Sequence, residues 1–68
     1  MKMFRNTTTG EMLTPVDFII LCMDEARRQY EDLNNAYWCD LTQSEQIELN
    51  YAQYVHQLEN NWKKVKEE

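Results

Sequence analysis

Few side chains in this 68-residue chain are equipped for chemistry: one histidine, two cysteines, one serine and a dozen carboxylates. His56 and Glu59 form a His-x-x-Glu pair on one helix face, which matches half of a metal site. One imidazole and one carboxylate do not complete a coordination shell. Cys39 stands beside Trp38 and would need a neighbouring cation to lower its pKa, whereas Asp40 acts in the opposite sense. Ser44 lies within Thr42-Gln43-Ser44-Glu45, a helix-capping box that already gives the segment a structural role. The carboxylates Asp24/Glu25 and Glu31/Asp32 flank Arg27 and Arg28 at helical spacing, the pattern of a solvated charged face rather than of two acids held in a cleft. A single glycine, Gly10, leaves no phosphate-cradling loop. The chain is therefore read as a non-enzyme with no catalytic, cofactor-binding or metal-ligating residues.

The elements that would position any site are clear. Met3-Phe4-Arg5 and Met12-Leu13 enclose an Asn/Thr/Gly stretch, which predicts a β-hairpin within residues 1–14, with roughly 2–6 pairing with 10–14. Thr14-Pro15-Val16-Asp17 is a helix start: a capping hydroxyl, a proline where no donor is needed, and an acid in the first turn. Val16, Ile19, Met23, Ala26, Tyr30, Leu33 and Tyr37 then recur at alternating spacings of three and four, predicting helix one over 15–36 with this seam facing inward. An aspartate at Ile19 is accordingly expected to cost several kcal/mol. Thr42-Gln43-Ser44-Glu45 opens helix two, expected over 42–65 from Ile47, Tyr51, Tyr54, Leu58, Trp62 and Val65. Lys63, Lys64 and Lys66 would then complement its negative end. The expected fold class is α+β, mostly α: a short N-terminal hairpin packed on an antiparallel two-helix hairpin, order β-β-α-α, in one domain over 1–68.

Helix one is apolar all round in its first two turns, since Phe18, Leu21 and Cys22 lie off the seam. The hairpin offers little beyond Phe4, Met12 and Leu13 to cover them. Phe18, Leu21 and Cys22, with Tyr37 and Trp38 in the connection, are thus the candidate interface residues, and a two-fold homodimer through helix one is expected. Aromatic anchors of this kind dominate protein–protein contacts.

Charge and cysteine usage narrow the partner. The net charge is −5, and it is concentrated in residues 17–59, where nine acids face only Arg27 and Arg28. Such a middle repels phosphate backbones, so nucleic acid is disfavoured and a protein partner is expected. The longest apolar run, Phe18 to Met23, is far short of a membrane span, and Lys2 and Arg5 are not followed by the apolar stretch of a secretion signal. Cys22 and Cys39 read as reduced thiols, and the expected compartment is cytoplasmic.

The opening Phe4-Arg5-Asn6-Thr7-Thr8-Thr9-Gly10-Glu11-Met12-Leu13-Thr14 resembles the start of many small proteins encoded by phages and mobile elements of Gram-positive bacteria, with their Asn-x-x-Thr-Gly-Glu-x-Leu-Thr hairpin. The resemblance covers about a fifth of the chain and carries no catalytic or binding residues. It implies a short accessory protein of the host cytoplasm that binds or inhibits a host protein. The alternative is a small transcriptional regulator or nucleic-acid-binding accessory protein, for which the C-terminal lysines speak.

Overall fold

A computed structural model describes residues 2–66; Met1 of the expected hairpin and Glu67 and Glu68 of the tail lie outside them. In chain order the elements are β1 (Lys2–Asn6), β2 (Met12–Leu13), α1 (Pro15–Asn34), a 3-10 turn (Trp38–Asp40), α2 (Gln43–Asn60) and β3 (Trp62–Lys66). The α+β class, the hairpin and the paired helices are as the sequence predicts. The third strand is not.

The hairpin closes through its own side chains. Asn6 Oδ1 accepts from the Thr8 and Thr9 N–H groups at 2.8 and 2.9 Å, and Gly10 N–H donates to the Asn6 carbonyl. Gly10 sits at φ 79°, a region that costs an L side chain about 1–2 kcal/mol. Phe4 then pairs with Leu13, and Arg5 with Met12. Thr14 caps α1 by accepting from Asp17 N–H at 3.2 Å, and the helix stops at Asn35, which takes the left-handed conformation. The Thr42–Glu45 capping box of α2 forms in full: Glu45 Oε1 accepts from Thr42 N–H and Thr42 Oγ1 from Glu45 N–H. The hydrogen bond from Thr42 N–H holds the Glu45 carboxyl below its ordinary value.

Helix two was expected to run to residue 65; α2 ends at Asn60. Asn60 Nδ2 donates back to the His56 carbonyl, and the Asn61 carbonyl accepts from Thr7 N–H at 2.9 Å and Thr7 Oγ1 at 3.1 Å. The helix end is thereby tied to the hairpin turn, and the chain leaves it extended. Trp62–Lys66 pairs antiparallel with β1, from Asn6↔Trp62 to Lys2↔Lys66, and the sheet order is β2-β1-β3. Pairing on both sides satisfies backbone groups of β1 that a two-stranded hairpin leaves open, and it gives that hairpin the support it lacks alone.

The third strand also reverses which face of α1 is buried. Phe18 is fully enclosed and Cys22 and Ala26 are buried, whereas Val16, Ile19, Met23 and Leu33 of the expected seam are exposed. Phe4 stacks on Phe18 with centroids 4.2 Å apart, and Trp62 and Tyr54 meet Phe18 edge-on at 5.4 and 5.5 Å. Leu13, Leu21, Tyr54 and Leu58 pack around this cluster. On α2 the same shift leaves Ile47 and Tyr51 outside and turns Gln53 and Gln57 inward. A helix apolar on every side has more than one possible inner face, and here an aromatic sheet floor selects the one centred on Phe18.

Phe18→Ala is expected to cost about 3–5 kcal/mol in urea unfolding followed by circular dichroism, enough to unfold a domain this small. Ile19→Asp, at a half-exposed position, should cost about 1 kcal/mol or less, the reverse of the ranking that the heptad spacing implies.

Candidate interaction surfaces

The expected interface residues separate into two groups. Phe18 and Cys22 belong to the core, so these two cannot meet a partner without unfolding, while Leu21 packs half-buried against them. The two are removed from the candidate interface for the reason just given: the three-stranded sheet covers them. Tyr37 is exposed in the connection, and Trp38 is half-buried beside it. Trp38 meets the edge of Tyr30 at 6.0 Å, its N–H donates to Glu31 Oε2 at 2.9 Å, and its carbonyl accepts from Gln46 Nε2 at 3.0 Å. These bonds fix the turn, so Tyr37 stands on a rigid base.

What the chain exposes instead is the helix face turned away from the sheet. Val16, Ile19, Ile20 and Met23 fall at i, i+3, i+4 and i+7, one stripe along α1. Val16 is 66% exposed, Ile20 57%, Ile47 60% and Tyr51 67%. Ile20 and Met23 share a groove with Gln46 and Asn50 of α2. Ile47 and Tyr51 follow those two positions around α2, on the same side, whereas Leu49 faces a second groove with Tyr30, Leu33 and His56. Six apolar side chains from two helices therefore make one open face. The spacing assigns all of its residues but Ile20 to the interior, and Ile20 alone lies off the expected seam.

The seam beneath this face is polar. Gln46, Asn50 and Gln53 line the helix–helix grooves, and Asn50 Oδ1 and Gln53 Nε2 are buried without hydrogen-bond partners, at a cost of about 1–3 kcal/mol each.

Charge is divided between the two layers. Lys2, Arg5, Lys63, Lys64 and Lys66 all lie on β1 and β3, with Lys2 opposite Lys66 and Arg5 opposite Lys63. The lysines expected to complement a helix dipole are strand residues. The acids of residues 17–59 lie on the helices and their connection, where Arg27 and Arg28 bond Asp24 at 2.9 and 3.1 Å and Arg27 reaches Glu31 at 3.6 Å. These pairs are exposed and contribute little to stability.

The groups singled out for chemistry stay apart. His56 Nδ1 lies 3.2 Å from Asn60 Nδ2, and among the described residues no three His, Cys, Asp or Glu side chains gather where they could hold a metal ion. Both cysteines are free, Cys22 buried and Cys39 exposed. Burial, with a smaller contribution from the nearby Glu25 carboxylate, pushes the Cys22 thiol up to about 11. Among the described residues no helix is long and apolar enough to cross a membrane. Compared with protein-family models, with curated proteins and with solved structures, the chain shows no match to any of them.

A thiol reagent should label Cys39 rapidly in the native protein and Cys22 only after unfolding, as read by intact mass. The raised pKa of Cys22 means that its contribution to stability is complete below 9.0 and is lost as pH rises towards about 11. That loss is on the order of 2 kcal/mol. Cys22→Ala should unfold more easily at neutral pH and lack this part of the alkaline decline.

Proposed function

We propose that this chain is a small non-enzymatic accessory protein that works by docking on other protein chains. The observation that carries the reading is the open apolar face of the helical hairpin, with Tyr37 exposed separately in the connection. Scattered exposed apolar residues are ordinary on a soluble protein; a contiguous set spanning two helices marks an interaction site. Its members are rigid: they sit on helices with formed caps, so binding costs little ordering entropy. The N-terminal resemblance to phage and mobile-element proteins supports a host protein as the target and the bacterial cytoplasm as the setting. Two thiols left free, one of them exposed, are compatible with a reducing compartment.

A second reading, a nucleic-acid-binding accessory protein, is favoured by one specific observation. β1 and β3 carry five cations, Arg5 and Lys63 on the outer face of the sheet and Lys2, Lys64 and Lys66 on the face of Phe4 and Trp62, and like charges directly opposite on paired strands repel one another in the absence of an anion. An acidic helix layer stands behind the sheet and weakens its attraction for phosphate.

Photo-crosslinking amino acids at Tyr37 and Tyr51, with a third at Lys63, separate the two readings in the cells that carry the gene. Docking on protein predicts protein adducts from Tyr37 or Tyr51; their absence at both positions overturns it. Adducts with DNA or RNA from Lys63 would establish the second reading. Binding in that case should weaken with salt on a log–log slope no steeper than about −4.5, the limit for five phosphate contacts.

A further inference from the structure

The open face of the hairpin is large for so small a chain. Val16, Ile19, Ile20, Met23, Ile47 and Tyr51 together leave on the order of 700 Å² uncovered. Two such faces brought together could remove at most about 1,400 Å² from these residues, which reaches the roughly 1,200–2,000 Å² of a stable, specific interface. The interior on its own is slight: among the described residues the buried apolar side chains are Phe4, Phe18, Cys22, Ala26 and Trp62.

We infer that a second copy of this chain occupies the face, the two hairpins packing as a two-fold, four-helix bundle with a sheet on each outer side. This rests on the reading that the face docks protein, and it names the partner. With nine acids against two arginines over residues 17–59, the pairing is carried by its apolar area rather than by charge, and the shape of the face sets the axis. Arg28, bonded to Asp24, stands exposed on the outer edge of α1, and Glu48 stands exposed on the outer edge of α2. Arg27 shares a groove with Gln46 and Asn50, so these edges are level along the hairpin. A two-fold axis parallel to the helices lays α1 of one copy antiparallel on α2 of the other, with Arg28 at the same edge as the other copy's Glu48. Arg28 and Glu48 stay at the rim, and the six exposed apolar side chains make up most of the contact. Pairing leaves Tyr37 and both basic sheets outside the bundle. A host protein would then dock at the turn end rather than on the face. The dimer would also present each of its outer surfaces twice.

Sedimentation equilibrium with a reductant present, so that Cys39 cannot cross-link, decides the matter. The expected result is a reversible species of twice the 8.3 kDa chain mass, populated by high-micromolar concentration. Ile20→Lys and Ile47→Lys should each weaken association at least about tenfold, the loss expected at a buried interface position. Both sites are exposed in the single chain, so circular dichroism should be unchanged. Leu33→Lys, on the opposite groove, should leave association as it is. A monomer at every concentration overturns the pairing, and so does a dimer indifferent to both isoleucine changes. A monomer that still yields foreign protein adducts at Tyr37 or Tyr51 would refute only the pairing; one that yields none refutes the docking reading as well.

Discussion

The Phe18 ring is closed in by side chains from three other elements: Phe4 of β1 stacked at 4.2 Å, Trp62 of β3 edge-on at 5.4 Å and Tyr54 of α2 edge-on at 5.5 Å. Each of these rings is held by its backbone. Phe4 lies on a strand paired on both sides, Trp62 on the strand that follows α2, and Tyr54 on the second helix. Aromatic side chains carry more buried area per residue than any other type, and stacked or edge-on pairs add to it. Among the described residues these rings, with Leu13, Leu21 and Leu58 around them, anchor the helices to the sheet. Once Phe18 points at the sheet, the rotation of α1 is set, and every residue on its far side is committed to solvent or to a partner.

That commitment explains an otherwise odd distribution of polarity. Isoleucines at positions 19, 20 and 47 are outside, while glutamines at 53 and 57 are inside. Gln57 is used, since its Oε1 accepts from Asn61 Nδ2 at 3.1 Å next to the link between the helix end and the hairpin turn. Gln53 and Asn50 hold unpaired polar atoms between the helices. An isolated domain under selection for stability alone would exchange these two sets. Their arrangement suits a helix pair whose stability is shared between an internal sheet contact and an external apolar one.

The same β1–β3 pairing organises charge. Two short cationic segments at opposite ends of the chain, each nearly neutral in its local balance, become one basic layer, with the acids collected on the helical layer. The molecule is two-sided in charge as well as in hydropathy. Its basic side is the sheet, and its apolar side is the helix face turned the other way.

Local physical chemistry was legible in the sequence wherever it acts over a few residues. Asn6 and Gly10 make the turn, Thr14 with Pro15 and Thr42 with Glu45 start the helices, and the asparagines at 34 and 35 stop the first of them. Two helices, a hairpin and their order follow from these signals, as does the structural role of Ser44's segment. Three things needed the tertiary structure. The inner face of α1 could not be chosen from spacing, because Val16-Ile19-Met23 and Phe18-Cys22 both repeat at helical intervals. The fate of residues 62–66 could not be read either, because Trp62 and Val65 continue a helical stripe and also suit a strand. With the face of α1 undecided, spacing points to Phe18, Leu21 and Cys22 as interface and to Val16, Ile19 and Met23 as core, whereas the structure buries Phe18 and Cys22 and exposes the second set. Periodicity reports only that a helix has apolar sides. Which side is buried depends on the rings that pack against it, and Phe4 and Trp62, more than fifty residues apart in the chain, meet Phe18 only once β3 has paired with β1.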